Sequence, residues 1–307
     1  MLLYIGFLKR MFKRKIIIIT GPTASGKSDI TLRLAKEVNG VIINGDSRQV
    51  YKELEIGTAK PTFEKTTNNI SYIDNIPHYL YSTVSIKEKY TVYDYQKDAY
   101  SILKALPDEQ VPIIVGGTGL YIDSLFFNYE LTENISNDSY KKYSLDELKE
   151  LIGEKKLSKL NESDRENPRR LVRILQKIHS HSYKEKDNRK EKALNALYFV
   201  VDIEPEELNR KIEKRVEVMF EKGLIEENRR LLKYKELNLP ALNTIGYQEF
   251  DGYFENKKDL EQVKQEIINH SRQYAKRQRT WFRKNNYAIW INNYKDIKKM
   301  CKEFLLN

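Results

Sequence analysis

The stretch Gly-Pro-Thr-Ala-Ser-Gly-Lys-Ser, Gly21 to Ser28, limits what this chain can fold into more than any other segment. Its spacing, G-x-x-x-x-G-K-[ST], is that of a loop whose backbone N–H groups cradle phosphates at a helix N-terminus. Such a loop needs a strand before it and a helix after it, and both are legible. Ile16 to Thr20 is a short, β-branched apolar run, as a strand buried on both faces of a parallel sheet requires. In the following stretch, Ile30, Leu34 and Val38 fall on one helical face. Gly40 to Asn44, Val111 to Gly116, Ala196 to Val201 and Tyr287 to Ile291 read as further strands, and Tyr93 to Leu106 as a helix. Strands alternating with helices predict an α/β fold, a phosphate-loop core with a parallel sheet flanked by helices. Its ligands would lie at the strands' carboxyl ends.

Between about Phe127 and Leu194 the alternation stops and short, polar helical runs replace it. The expected organisation is therefore a first part of the core over 11–126, a small helical insertion domain over 127–195, and completion of the core over 196–307. The last part carries a long basic helix from about Lys258 to Lys284.

Lys and Arg total 54 against 44 Asp and Glu, a net charge of +10, which favours a polyanionic partner, nucleic acid first. Cys301 is the single cysteine, which excludes an internal disulfide or a cysteine-rich zinc site and fits a reducing compartment. The apolar run Met1 to Leu8 is far short of the roughly 20 residues that span a bilayer. It also lacks the basic-then-apolar order of a secretory signal, and Met11 is a second candidate start. The chain reads as a cytoplasmic monomer with no membrane partner.

In the phosphate loop, Gly21, Pro22, Thr23, Ala24, Ser25, Gly26, Lys27 and Ser28 would hold the phosphates. The N–H groups from Thr23 to Ser28 would face the anion, Lys27 would pair with the outer phosphate, and the Ser28 hydroxyl would bind Mg²⁺. A nucleotide-hydrolysing motor places an acid after an apolar strand to hold Mg²⁺ and orient water. Here the matching strand runs into Gly116-Gly117-Thr118-Gly119 with no acid. That turn reads either as a second wall of an anion pocket or as a simple tight turn. The acid lies elsewhere: Asp46, just past the second strand, is either a general base or a turn aspartate. His78 reads as a packing residue, and His179 and His181 as surface residues.

Seven segments occur in the order found in one family: GPTASGKS, INGDSRQVYKELEIGTAKP, IPHYL, VGGTGLYIDSL, RRLVRIL, IGYQEF and YAKRQRTWFRK. From about Ile16 to Asn292 the chain resembles the bacterial tRNA dimethylallyltransferases, most strongly in its first 125 residues. The resemblance implies Mg²⁺-dependent transfer of a five-carbon group from dimethylallyl diphosphate to N6 of adenosine 37, beside the tRNA anticodon. The phosphate would then be a leaving group, neither hydrolysed nor transferred. It further implies Asp46 as the base, with Thr118 and Arg215 at the departing diphosphate; without the resemblance, Arg215 is one helix cation among many. Asp46, Ser47, Arg48, Gln49 and Thr118 would meet the flipped adenine. Arg169, Arg170 and Arg173 would contact tRNA, as would Lys276, Arg277 and Arg279. From Asn269 to Asn285 there are six Lys or Arg and no acid, with Tyr274, Trp281 and Phe282 interleaved. Such a stretch suits phosphates and unstacked bases, although Trp281 and Phe282 are expected to face the core. The sequence departs from the family's usual pattern at Tyr79, Gln176 and Pro205 and in the shortened middle region. Three rivals stay open on the residues alone: an adenylate isopentenyltransferase, a small-molecule kinase, and an RNA-binding protein with a vestigial site.

Overall fold

In a computed structural model, residues 14–131, 140, 142–179 and 191–307 are described; Met11 and His181 lie outside them. The chain divides into two compact units, one built from the chain up to Tyr129 and from Lys192 onward, the other Glu130–Glu191.

The larger unit is an eight-stranded sheet. In chain order its strands are β1 (Ile16–Thr20), β2 (Gly40–Asn44), β3 (Lys65–Thr67), β4 (Ile70–Ile73), β5 (Ile76–Tyr79), β6 (Val111–Gly116), β7 (Ala196–Val201) and β8 (Ala288–Ile291). They lie in the order β3-β4-β5-β2-β6-β1-β7-β8. From β5 to β8 every pairing is parallel, whereas β3-β4 and β4-β5 are antiparallel. Ile16, Ile17, Ile18 and Ile19 are all fully buried, as a central strand covered on both faces demands.

The strands β3 to β5 at one end of the sheet are not apparent from hydrophobic pattern, because each is only three or four residues long. Their signature is instead a pair of two-residue turns, Asn68-Asn69 and Asp74-Asn75, all four with positive φ. Asn and Asp tolerate that conformation, and paired positive φ angles match the twist of a tight hairpin.

The larger unit's helices begin with α1 (Lys27–Glu37), α2 (Val92–Ala105) and α3 (Gly119–Phe126), and the smaller unit holds α4 to α7. These are Leu145–Ile152, Glu154–Leu157, Glu162–Arg165 and Pro168–His179. The larger unit resumes with α8 (Pro205–Glu221), α9 (Leu224–Leu231), α10 (Leu260–Phe282) and α11 (Tyr294–Leu306). In α1 the buried stripe is Thr31, Leu34 and Ala35, so Ile30 and Val38 sit at its rim rather than at its centre. A capping box of Asp259 and Gln262 starts α10, which buries Val263, Ile267, Ala275, Gln278 and Phe282.

The smaller unit closes on its own core of Leu148, Ile152, Leu160, Leu171 and Leu175, with no strand among its described residues. Among the described residues, no helix is long and apolar enough to cross a membrane.

Candidate active site

The loop after β1 turns into α1 through Gly26, whose φ of 81° lies in the left-handed region. Two of its N–H groups are already engaged: Thr23 donates to Oε1 of Gln278 at 2.8 Å, and Ser25 to the Pro22 carbonyl at 3.3 Å. Both belong to the stretch from Thr23 to Ser28 whose N–H groups are expected to face an anion. The Thr23 hydroxyl accepts from Arg215 Nη1 at 2.7 Å, and Arg215 Nη2 donates to the Thr58 carbonyl at 3.3 Å. Lys27 Nζ donates to the Pro22 carbonyl at 3.1 Å. Removal from water and the nearby Arg215 charge, against the opposing pull of Asp46, lower the Lys27 pKa to about 8. Burial likewise lowers that of Arg215, again against Asp46. Two crowded cations with one carboxylate between them make a site that gains from an added anion.

Asp46 sits on a turn built by the fully buried Asn44, whose Oδ1 accepts the Asp46 N–H at 2.9 Å. Asn44 Nδ2 donates back to the Asp46 carbonyl at 3.0 Å and to Leu80 at 2.9 Å. Asp46 Oδ1 accepts the Arg48 N–H at 2.8 Å, so the carboxylate is a turn residue and also lines the cavity. A carboxylate has lone pairs beyond that one bond.

The Gly116–Gly119 turn serves packing. A Cβ on Gly116 would lie 2.2 Å from Gly45 backbone, one on Gly117 2.2 Å from Gln278, and one on Gly119 2.2 Å from Trp281. Its glycines thus admit β2's following turn and helix α10, a different reason from approach to an anion. Thr118 does not line the cavity: its hydroxyl accepts the Ser47 N–H at 3.0 Å and donates to the Ser47 hydroxyl at 3.2 Å. It also bonds to the Tyr274 hydroxyl, whose pKa burial pushes up to about 12.

A cavity of about 390 Å³ joins these parts. Of the sequence-expected residues it is lined by Thr23, Lys27, Ser28, Asp46, Arg48, Gln49, Arg215 and Arg277. Ile212, Val216, Met219 and Ile267 add an apolar lining to the same cavity. A second hollow of about 860 Å³ shares Lys27, Ser28, Arg215 and Met219 and adds Lys60, Lys211 and Lys214.

Along α10, Lys276 and Arg277 are exposed and, with Trp281 and Lys284, surround a shallow hollow of about 250 Å³. Arg279 is committed differently, pairing with Asp202 at 3.1 Å and donating to the Ile203 carbonyl at 3.3 Å. Phe282 is fully buried as expected, but Trp281 is 38% exposed while its indole N–H donates to Asp123 at 2.8 Å. Arg169 and Arg173 are exposed on α7, and Arg170 there pairs with Asp164. His78 is buried in an aromatic cluster with Phe63 and Tyr81 and bonds to the Ile76 carbonyl, a packing role.

A sequence profile of IPP transferases matches residues 49–285, and one of isopentenyl transferases matches residues 14–78. The chain belongs to the IPP transferase family. A tRNA dimethylallyltransferase of Anoxybacillus flavithermus is 37% identical over 287 residues, 91% of this chain and 90% of that one. The full-length tRNA isopentenylpyrophosphate transferase of Bacillus halodurans superposes with a TM-score of 0.71 at 28% identity, covering 95% and 97% of the two chains. A eukaryotic dimethylallyltransferase acting on tRNA gives 0.74 at 26% identity, covering 88% of this chain and 70% of that one.

Within this IPP transferase several site-building residues escape sequence reasoning. Glu227 is buried and accepts backbone N–H groups of Glu55, Ile56 and Gly57 plus the Tyr247 hydroxyl, at 2.6 to 3.3 Å. That clamp fixes the loop carrying Thr58, whose carbonyl holds Arg215 and Gln49. Gln278 and the apolar wall of α8 were equally hidden, since neither residue type marks chemistry. A glutamate and a glutamine on helices look ordinary until the fold brings distant backbone to them.

Proposed function

We propose that this chain transfers the dimethylallyl group of dimethylallyl diphosphate to N6 of adenosine 37 of tRNA, releasing diphosphate. The observation that carries the reading is the cavity that Asp46, Lys27, Ser28 and Arg215 line together with the apolar Ile212, Val216, Met219 and Ile267. Such a lining suits a ligand with an anionic head and a short hydrocarbon tail. In the reaction the allylic C–O bond breaks, its electron pair leaves with the diphosphate, and N6 bonds to the allylic carbon. Adenine's amino group is a poor nucleophile because its lone pair is delocalised, so a base must take its proton; Asp46 is that base. Lys27, Arg215 and the unengaged loop N–H groups stabilise charge gathering on the departing diphosphate. Thr118 acts through Ser47 and the adenine-facing turn. Arg48 and Gln49 meet the flipped base, and Lys276 and Arg277 the tRNA backbone.

The donor set fits Mg²⁺ as an ion carried chiefly by substrate. Ser28 supplies one hard oxygen at the cavity, and no cluster of three or more His, Cys, Asp or Glu gathers among the described residues. Mg²⁺ commonly keeps several waters and takes phosphate oxygens for the rest. When bound it would neutralise charge on the leaving group. The same reading has the protein working in the cytoplasm as a monomer.

The test is transfer of labelled dimethylallyl from its diphosphate to unmodified tRNA, with AMP and ATP beside it. Label at the adenosine next to the anticodon supports the reading. Label on AMP alone replaces it with adenylate prenylation, and phosphate release from ATP without an isoprenoid requirement replaces it with a kinase.

A further inference from the structure

One buried amide joins three segments that are far apart in sequence. Gln278 is 4% exposed, sits on α10 between the basic residues Arg277 and Arg279, and reaches two backbone groups. Its Oε1 accepts the Thr23 N–H at 2.8 Å, and its Nε2 donates to the Gly117 carbonyl at 2.8 Å. With an acceptor needed at one end and a donor at the other, only one orientation of the amide satisfies both. Pro22 has no N–H, so Thr23 carries the first N–H after Gly21 in the phosphate loop. The Thr23 hydroxyl is held separately by Arg215, so this one residue is gripped from both α8 and α10. Gly117 completes the arrangement: a Cβ there would meet Gln278 Nε2 at 2.2 Å, and its next neighbour would be 3.5 Å away, on the same side chain.

We propose that Gln278 is a positioning residue for the donor: from the basic helix its amide holds the Thr23 peptide and the Gly117 turn in the arrangement that receives a diphosphate. The inference deepens the proposed function and rests on it for the identity of the donor. It gives the helix that carries the acceptor-facing cations a direct hold on the donor loop. Loss of this amide therefore weakens donor binding, although Gln278 lies among residues assigned to RNA.

Gln278→Met keeps the side chain's length and removes both hydrogen bonds. Its expected effect is a rise of about tenfold in KM for dimethylallyl diphosphate, the size expected for losing one or two buried hydrogen bonds. KM for tRNA should stay within about twofold. Inorganic diphosphate, titrated calorimetrically onto the full chain, should show the same weakening without any transfer step. Gly117→Ala should reproduce it by displacing the amide, and should add little in a Gln278→Ala background, because the two changes then remove one interaction. Three results would overturn the proposal: unchanged diphosphate affinity in Gln278→Met, additive effects of Gly117→Ala and Gln278→Ala, or equal loss of donor and tRNA binding. If the parent chain binds diphosphate but transfers nothing to tRNA, the functional reading fails while the titrations still decide the role of Gln278.

Discussion

Lys27 and Lys60 border the same hollow, and burial lowers both to a pKa of about 8, yet their surroundings differ. Around Lys27 the second strongest influence is another cation, Arg215, and the only compensation is Asp46. Around Lys60 every other influence is a carboxylate: Glu55, Glu227 and Glu53. Lys60 also caps the Tyr51 carbonyl at 2.5 Å and the Ser82 hydroxyl at 2.7 Å. Its loop is clamped by Glu227, which takes up three backbone N–H groups. The phosphate loop is held at few points and keeps excess positive charge. A buried lysine crowded by a second cation, as Lys27 is by Arg215, is the better candidate for an anion site than one surrounded by carboxylates.

The largest expected effect tests the one carboxylate beside Lys27. Asp46→Asn should lower transfer by about 10²- to 10⁴-fold, the usual contribution of a general base, with diphosphate affinity largely retained. Near-normal turnover would return Asp46 to turn-making alone.

Next in size is the contrast itself. Lys27→Met should cost roughly a hundredfold or more in transfer, as removal of a group that stabilises a developing anion does. Lys60→Met should leave diphosphate affinity within about twofold and instead lower the thermal midpoint by about 2–4 °C, near 1 kcal/mol in a chain of this size. Equal losses of affinity in both variants would erase the distinction.

The pH response sharpens it further. Each lysine has a folded pKa of about 8 against an ordinary value of 10.5, so the charged form is disfavoured in the folded state. Below about 8 both folded and unfolded chains are protonated, and the penalty is present in full. Between about 8 and 10.5 the unfolded chain binds more protons, so these groups make stability rise with pH. Diphosphate affinity runs the other way, falling as pH passes about 8, and Lys27→Met should flatten that fall whereas Lys60→Met should not. Titration calorimetry across the range checks both.

The smallest effects concern the basic helix. Neutralising Lys276 and Arg277 to Gln should flatten the logarithmic salt dependence of tRNA binding by about 1 to 2, one phosphate contact each. Arg279→Gln should change that slope less and reduce thermal stability instead, because its charge is committed to Asp202. An Arg279 slope change equal to that of Lys276 would overturn the split.

The parallel core was legible because burial on both faces forces unbroken β-branched runs, which Ile16 to Ile19 display. The phosphate loop was legible because its spacing answers a local backbone need. The β3–β5 meander was not, since its strands are too short for a periodic signal and only the Asn and Asp turns announce them. Among the basic residues, sequence drew Arg277 and Arg279 as equals, whereas packing exposes the first and ties the second to the end of β7.

By itself, then, the sequence determined the core's chemistry and order: a strand, a phosphate-cradling loop, a helix, an acid after the second strand, and a cation-rich helix near the end. Those features depend on neighbours within a few residues, and residue type and spacing encode them directly. Tertiary structure alone decided which backbone groups Gln278 takes up, why Gly117 and Gly119 must be small, what Glu227 clamps, and which lysine has a second cation beside it. Each of these depends on atoms brought together across tens to hundreds of residues, where hydrogen-bond partners and desolvation are set by packing and leave no local mark.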